Sequence, residues 1–210
     1  MEKLFSRFYL AYGNGKRAMN NNYTKILSEF IGTFFLVLII GITNNPIAIG
    51  IGLSVLVYMG AHISGAHYNP VVSLAMFIQK EINKSELLYY IISQLTASVA
   101  ATFAIQNFDI NSFEVIANTS NRASFLMAEI LFTFLLVFVI LNVALHPKLK
   151  NNQFYGFAIG LTVAAGALTV GDISGAVFNP AVSFGPTFFA ILDPNELSSA
   201  VQSNDFFFYY

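Results

Sequence analysis

Cysteine and tryptophan are absent from the 210 residues, and only 10% of the residues are charged. Without cysteine there is no disulfide, no thiolate metal site and no cysteine nucleophile, and the redox compartment leaves no trace. So little charge excludes an ordinary soluble domain, where roughly a quarter of residues are charged. A basic surplus is also missing: 10 Lys and Arg stand against 11 Asp and Glu, a net charge of −1, which argues against a nucleic-acid partner. The lack of tryptophan beside abundant Asn, Ile and Phe is a compositional bias that says nothing of function. No nucleophile–base pair, metal cluster or phosphate-binding glycine loop occurs in a fitting context, so neither an enzyme nor a cofactor is expected.

What the chain has in quantity is apolar sequence, 56% of all residues. Apolar segments at about 26–43, 47–61, 87–106, 123–145 and 154–170 read as five membrane spans, and the protein as an integral, multi-pass, all-α membrane protein. Residues 1–25 hold Lys3, Arg7, Lys16, Arg17 and Lys25 with an Asn-rich stretch, and no apolar run followed by a cleavage site, so a cytoplasmic tail is expected there. With the amino terminus inside, nine of the ten basic residues face the cytoplasm and only Arg122 faces out.

One phrase occurs twice. Residues 64–73 read SGAHYNPVVS and residues 174–183 read SGAVFNPAVS. Asn-Pro is a helix start, because the asparagine side chain accepts from the first free N–H groups and proline at the first helical position leaves none unpaired. Asn69-Pro70-Val71 and Asn179-Pro180-Ala181 should each open a helix. After Asn69 the apolar run ends near Ile78, which at 1.5 Å per residue is roughly half a bilayer core. The repeat also includes LSEFIGTFFLVLIIG from Leu27 and MAEILFTFLLVFVIL from Met127, with Glu29 and Glu129 in matching places. Each unit is then span, span, half-helix, span; three spans per unit invert the second unit relative to the first.

Two Asn-Pro half-helices in inverted repeats, each behind Ser-Gly-Ala and each with a glutamate in its first span, resemble the aquaporin and aquaglyceroporin channels of the major intrinsic protein family. The resemblance covers about residues 26–190, with repeat one at 26–106 and repeat two at 123–190. It implies a right-handed bundle with two re-entrant half-helices and a narrow pore, usually in a homotetramer within the lipid bilayer, passing water or small neutral solutes. Five full spans are present, and residues 191–210 supply a polar segment and then Phe206 to Tyr210, the expected first turn of a sixth helix that is missing or cut off.

The mechanism expected from the residues is a central pair of donors. If each asparagine oxygen caps its own helix, its NH₂ is left for the lumen, and each half-helix turns its positive end there. Neutral solutes pass and cations are opposed. The family's filter arginine is replaced by Val182, and by spacing the other filter positions are Ile49, Ala167 and Ala176, all aliphatic. A wider, apolar filter without a fixed cation makes glycerol-like permeants plausible, although a hydrophobic ring can also gate by dewetting.

Competing readings attach to several residues. Glu29 and Glu129, ionisable groups inside spans, could form a proton-coupled carrier, but are expected to accept from free backbone N–H groups before each half-helix, as the resemblance implies. His62 and His67 lack partnering ligands for a metal, and His62 is expected near the cytoplasmic mouth. Gly156 and Gly160 are read as a helix-packing pair, Asn118-Thr119-Ser120 as a chance sequon, and Asp172 as a loop residue at the outer mouth. The alternative from another class is a non-conducting membrane scaffold or assembly subunit.

Overall fold

The computed structural model describes residues 22–43, 45–108, 122–149 and 152–192. The expected tail up to residue 21, the sequon at Asn118 and the expected start of a sixth helix lie outside the described residues. Among the described residues all regular structure is helical: α1 (Asn22–Thr43), α2 (Pro46–Gly60), α3 (Pro70–Ile78), α4 (Lys84–Gln106), α5 (Arg122–Ile140), α6 (Tyr155–Ser174) and α7 (Pro180–Leu192). A wider π-helical turn, Leu141–Leu145, prolongs α5. The architecture is an aquaporin-like helical bundle in which α3 and α7 are the two half-helices.

Local chemistry accounts for most of the boundaries. Asn45 accepts from the N–H groups of Ile47 and Ala48 and is followed by Pro46, which starts α2. Asn83 and Glu86 form a reciprocal capping box at the head of α4. α1, α4, α6 and α5 with its π-helical turn are long and apolar enough to cross a membrane, whereas α2 has 15 residues. Five full-length spans were expected; α2 is the short one, because the chain breaks from helix after Gly60 and turns towards α3.

Membrane helices gain little from apolar burial against one another, so they pack where backbones can approach. α2 and α6 cross at Gly50 and Gly160: a Cβ on Gly50 would lie 2.6 Å from the Gly160 carbonyl oxygen. Gly156 similarly receives the ring of Tyr58, so the Gly156–Gly160 pair does pack α6 on α2. α1 lies along α4, joined by the Ser93 hydroxyl to the Ile26 carbonyl at 2.7 Å and by the Lys25–Glu86 ion pair at 2.7 Å. The bundle's polar groups are inside, with Glu29, Gln94, Asn69 and Asn179 buried, while Phe35, Ile130, Phe134 and Phe138 point outward. That inversion of the soluble pattern is what a bilayer demands.

Candidate pore

The two copies of the repeated phrase take the same backbone path. Gly65 and Gly175 have φ of 91° and 79°, Ala66 and Ala176 of 52° and 51°, and Tyr68 and Phe178 of 50° and 47°. Left-handed residues other than glycine cost about 1–3 kcal/mol each and persist only where surroundings impose them. Here the imposing groups are the two glutamates. Glu29, fully buried in α1, accepts from the Ser64 hydroxyl at 2.6 Å, the His67 and Tyr68 N–H groups at 2.9 and 2.7 Å, and the Gln94 amide at 2.9 Å. Glu129 in α5 accepts from the Val177 and Phe178 N–H groups at 3.1 and 2.8 Å, with Ser174 also in hydrogen-bonding reach. Each carboxylate thus satisfies the irregular backbone at membrane depth just ahead of a half-helix.

Beyond these loops the chain meets itself. The Asn69 side-chain oxygen accepts from Val71 N at 2.8 Å and the Asn179 oxygen from Ala181 N at 3.0 Å, so each asparagine caps its own half-helix. Their amides then reach across: Asn69 Nδ2 donates to the Phe178 carbonyl at 2.8 Å, and Asn179 Nδ2 donates to the Tyr68 carbonyl at 2.9 Å. A primary amide has two N–H groups, so one on each asparagine remains after this exchange. The helix starts of α3 and α7, each carrying a positive partial charge, are held nose to nose.

Asn69 and Asn179 line a cavity of about 530 Å³. Its walls are aliphatic, with Leu36, Leu53, Val57, Leu136, Ile140 and Val163 among them. One end holds Lys25, His62, Glu81, Asn152 and Tyr155, so its mouth lies at the start of α1 and between α5 and α6. Of the four expected filter positions only Val182 lines the cavity. Ile49 is buried, Ala167 and Ala176 are half-buried, and none of these three touches it. Pro70, Val71 and Pro180 are half-buried beside it and Ala181 is buried. His67 lines the cavity with its Nδ1 3.1 Å from the Ser73 hydroxyl and its ring edge-on to Tyr90. Asp172 is exposed near the end of α6.

Sequence reasoning passed over Gln94, Tyr90 and Tyr68. A glutamine inside an expected span was the available signal for the first, since a buried amide requires partners. Tyr90, which donates to the Ser64 carbonyl at 2.8 Å, carries no such mark among the tyrosines of the chain.

A model of the family described as "Major intrinsic protein" matches residues 16–197. The chain belongs to that family. A bacterial member, the glycerol uptake facilitator protein-like 6 of Lactiplantibacillus plantarum, is 33% identical over 183 residues, covering 79% of this chain and 84% of the relative. Nodulin-26 of Glycine max is 33% identical over 181 residues, 78% of this chain but 66% of its own length, and several plant relatives are spanned to a similar or smaller extent. The aquaglyceroporin from Plasmodium falciparum has the same fold, with a TM-score of 0.75 at 20% identity, over 90% of this chain and 88% of that one. Major intrinsic proteins are channels of the membrane and not enzymes, and this member is a multi-pass integral membrane protein.

Proposed function

We propose that this major intrinsic protein is a passive channel for water and small uncharged solutes, glycerol-sized polyols included. The observation that carries the reading is the pair of reciprocally held amides, Asn69 and Asn179, at facing helix starts in an aliphatic cavity. A molecule passing there finds two fixed N–H donors for its oxygen, while its carbon backbone slides along Leu, Val and Ile walls. A cation meets two positive helix ends, which oppose its passage. Both glutamates are engaged in holding backbone, which favours the channel over a proton-coupled carrier.

The permeant class rests on Val182, the residue that lines the cavity where the family's filter arginine is expected from spacing. Ile49, Ala167 and Ala176, which lie outside that cavity, are the remaining apolar filter positions in this reading. The name of the bacterial relative, a glycerol uptake facilitator-like protein, agrees with polyol passage. The mouth shared by Lys25, Glu81 and Asn152 is the cytoplasmic one, in keeping with Lys80, Lys84 and Lys148 in the adjoining turns. Assembly as a homotetramer follows the family.

Stopped-flow light scattering of proteoliposomes in a glycerol gradient tests the reading. Rapid shrinkage followed by re-swelling is expected, and Val182→Arg should suppress the glycerol phase at least tenfold while reducing water flux much less. Lipid-only rates from verified, inserted protein would favour the scaffold instead.

A further inference from the structure

The aromatic residues that precede the two asparagines are seated differently. Tyr68 is completely buried, its ring lodged in a notch between α1 and α2 where Gly32 and Gly60 leave room. A Cβ on either glycine would collide with the tyrosine. At the bottom of the notch its hydroxyl donates to the Leu56 carbonyl at 3.0 Å. In the second repeat Phe132 stands at the place of Gly32, and Phe178 stacks on it, ring centroids 5.6 Å apart and planes 19° from parallel, with its edge against Gly166. Phe178 has no hydroxyl and no such bolt.

Tyr68 is also the residue whose carbonyl receives Asn179 Nδ2. Three connections therefore meet on one left-handed residue, with φ at 50°: its N–H on Glu29 of α1, its hydroxyl on α2, and its carbonyl on the asparagine of the opposite repeat. Fixing the first two leaves the carbonyl direction little freedom. We propose that Tyr68 is a positioning residue of the pore, which through its hydroxyl bolt to Leu56 sets the orientation of the Asn179 amide. Asn69 is oriented by a carbonyl whose own side chain is held by ring stacking, so the two central donors are unequally fixed. The amide of repeat two is the stiffer one, and the cause lies in repeat one.

This inference rests on the proposed channel function for its transport readout, and a second readout does not. Tyr68→Phe keeps the ring in its notch and removes only the hydroxyl, with its bond to Leu56 and its contact with Ser28. Its osmotic water permeability in proteoliposomes should fall by up to about fivefold, the factor that one neutral hydrogen bond represents. The same substitution in an Asn179→Ala background should change nothing further, because the group it positions is gone. Equal losses in both backgrounds would mean a merely structural role and overturn the proposal. Gly32→Ala, which drives the ring from the notch, should act in the same direction and with the same dependence on Asn179.

The second readout is the Asn179 side-chain amide signal in solid-state nuclear magnetic resonance of ¹⁵N-asparagine-labelled protein in lipid. The proton bonded to the Tyr68 carbonyl should shift in Tyr68→Phe, while an unmoved resonance overturns the proposal. If wild-type vesicles show lipid-only rates, the channel reading fails and the amide resonance alone decides whether Tyr68 positions Asn179.

Discussion

The loop before α3 and the loop before α7 have nearly the same sequence and the same backbone angles, yet they are held with different firmness. The first is tied to three helices: to α1 through Glu29, which Gln94 of α4 braces, to α2 through the Tyr68 hydroxyl, and to α4 through the Tyr90 hydroxyl. The second is tied to α5 through Glu129 and rests on α6 and Phe132. The repeated motif therefore sets a conformation, while the neighbours set how strongly it is enforced. A half-membrane helix needs both, since its start carries free N–H groups at a depth where water cannot reach them.

The widest separation between the repeats should come from their glutamates. Glu29→Ala removes an acceptor with four donors at a fully buried site and should cost about 3–5 kcal/mol, the range for stripping a buried charged partner from its network. Glu129→Ala, at a half-buried site, should cost about 1–3 kcal/mol. Thermal unfolding in detergent, followed by size-exclusion recovery, measures both; equal losses would erase the asymmetry.

A smaller effect should follow from Tyr90→Phe, which severs the tie between α4 and the Ser64 carbonyl and leaves the ring beside His67. About 1 kcal/mol is expected, the net worth of a neutral hydrogen bond, seen as faster backbone amide exchange at 64–68 but not at 174–178. The smallest change should be Lys25→Ala. The Lys25–Glu86 pair is partly open to solvent, with side chains 24% and 13% exposed, so its loss should cost less than about 1 kcal/mol. Raising the salt concentration should lower the wild-type melting temperature towards that of the variant; a salt-independent difference would mean that Lys25 stabilises by packing.

Much of this arrangement was legible in the chain itself. The repeated Asn-Pro, the Ser-Gly-Ala triplets and the paired glutamates located both half-helices and the groups that satisfy their loops, because each is a local rule about caps, φ angles or buried charge. Span limits were legible to within a few residues for the same reason, α2 included, although its 15 residues make it shorter than a full span because the chain must turn there for α3. Spacing did not reveal which side chains line the cavity, since that depends on how α2, α6 and α7 are rotated within the bundle. Nor did it reveal that Gly32 exists to receive Tyr68.

The sequence by itself determined the membrane setting, the twofold repeat and the chemistry at the head of each half-helix, because composition and neighbouring residues are enough to fix solvation and capping. Only the tertiary structure decided that each asparagine would donate to the other repeat's backbone, and that one repeat would be bolted where the other is stacked. The asparagine contacts join residues more than a hundred positions apart. Their geometry depends on close helix approaches at single glycines, where one added carbon would push the partners out of hydrogen-bonding range.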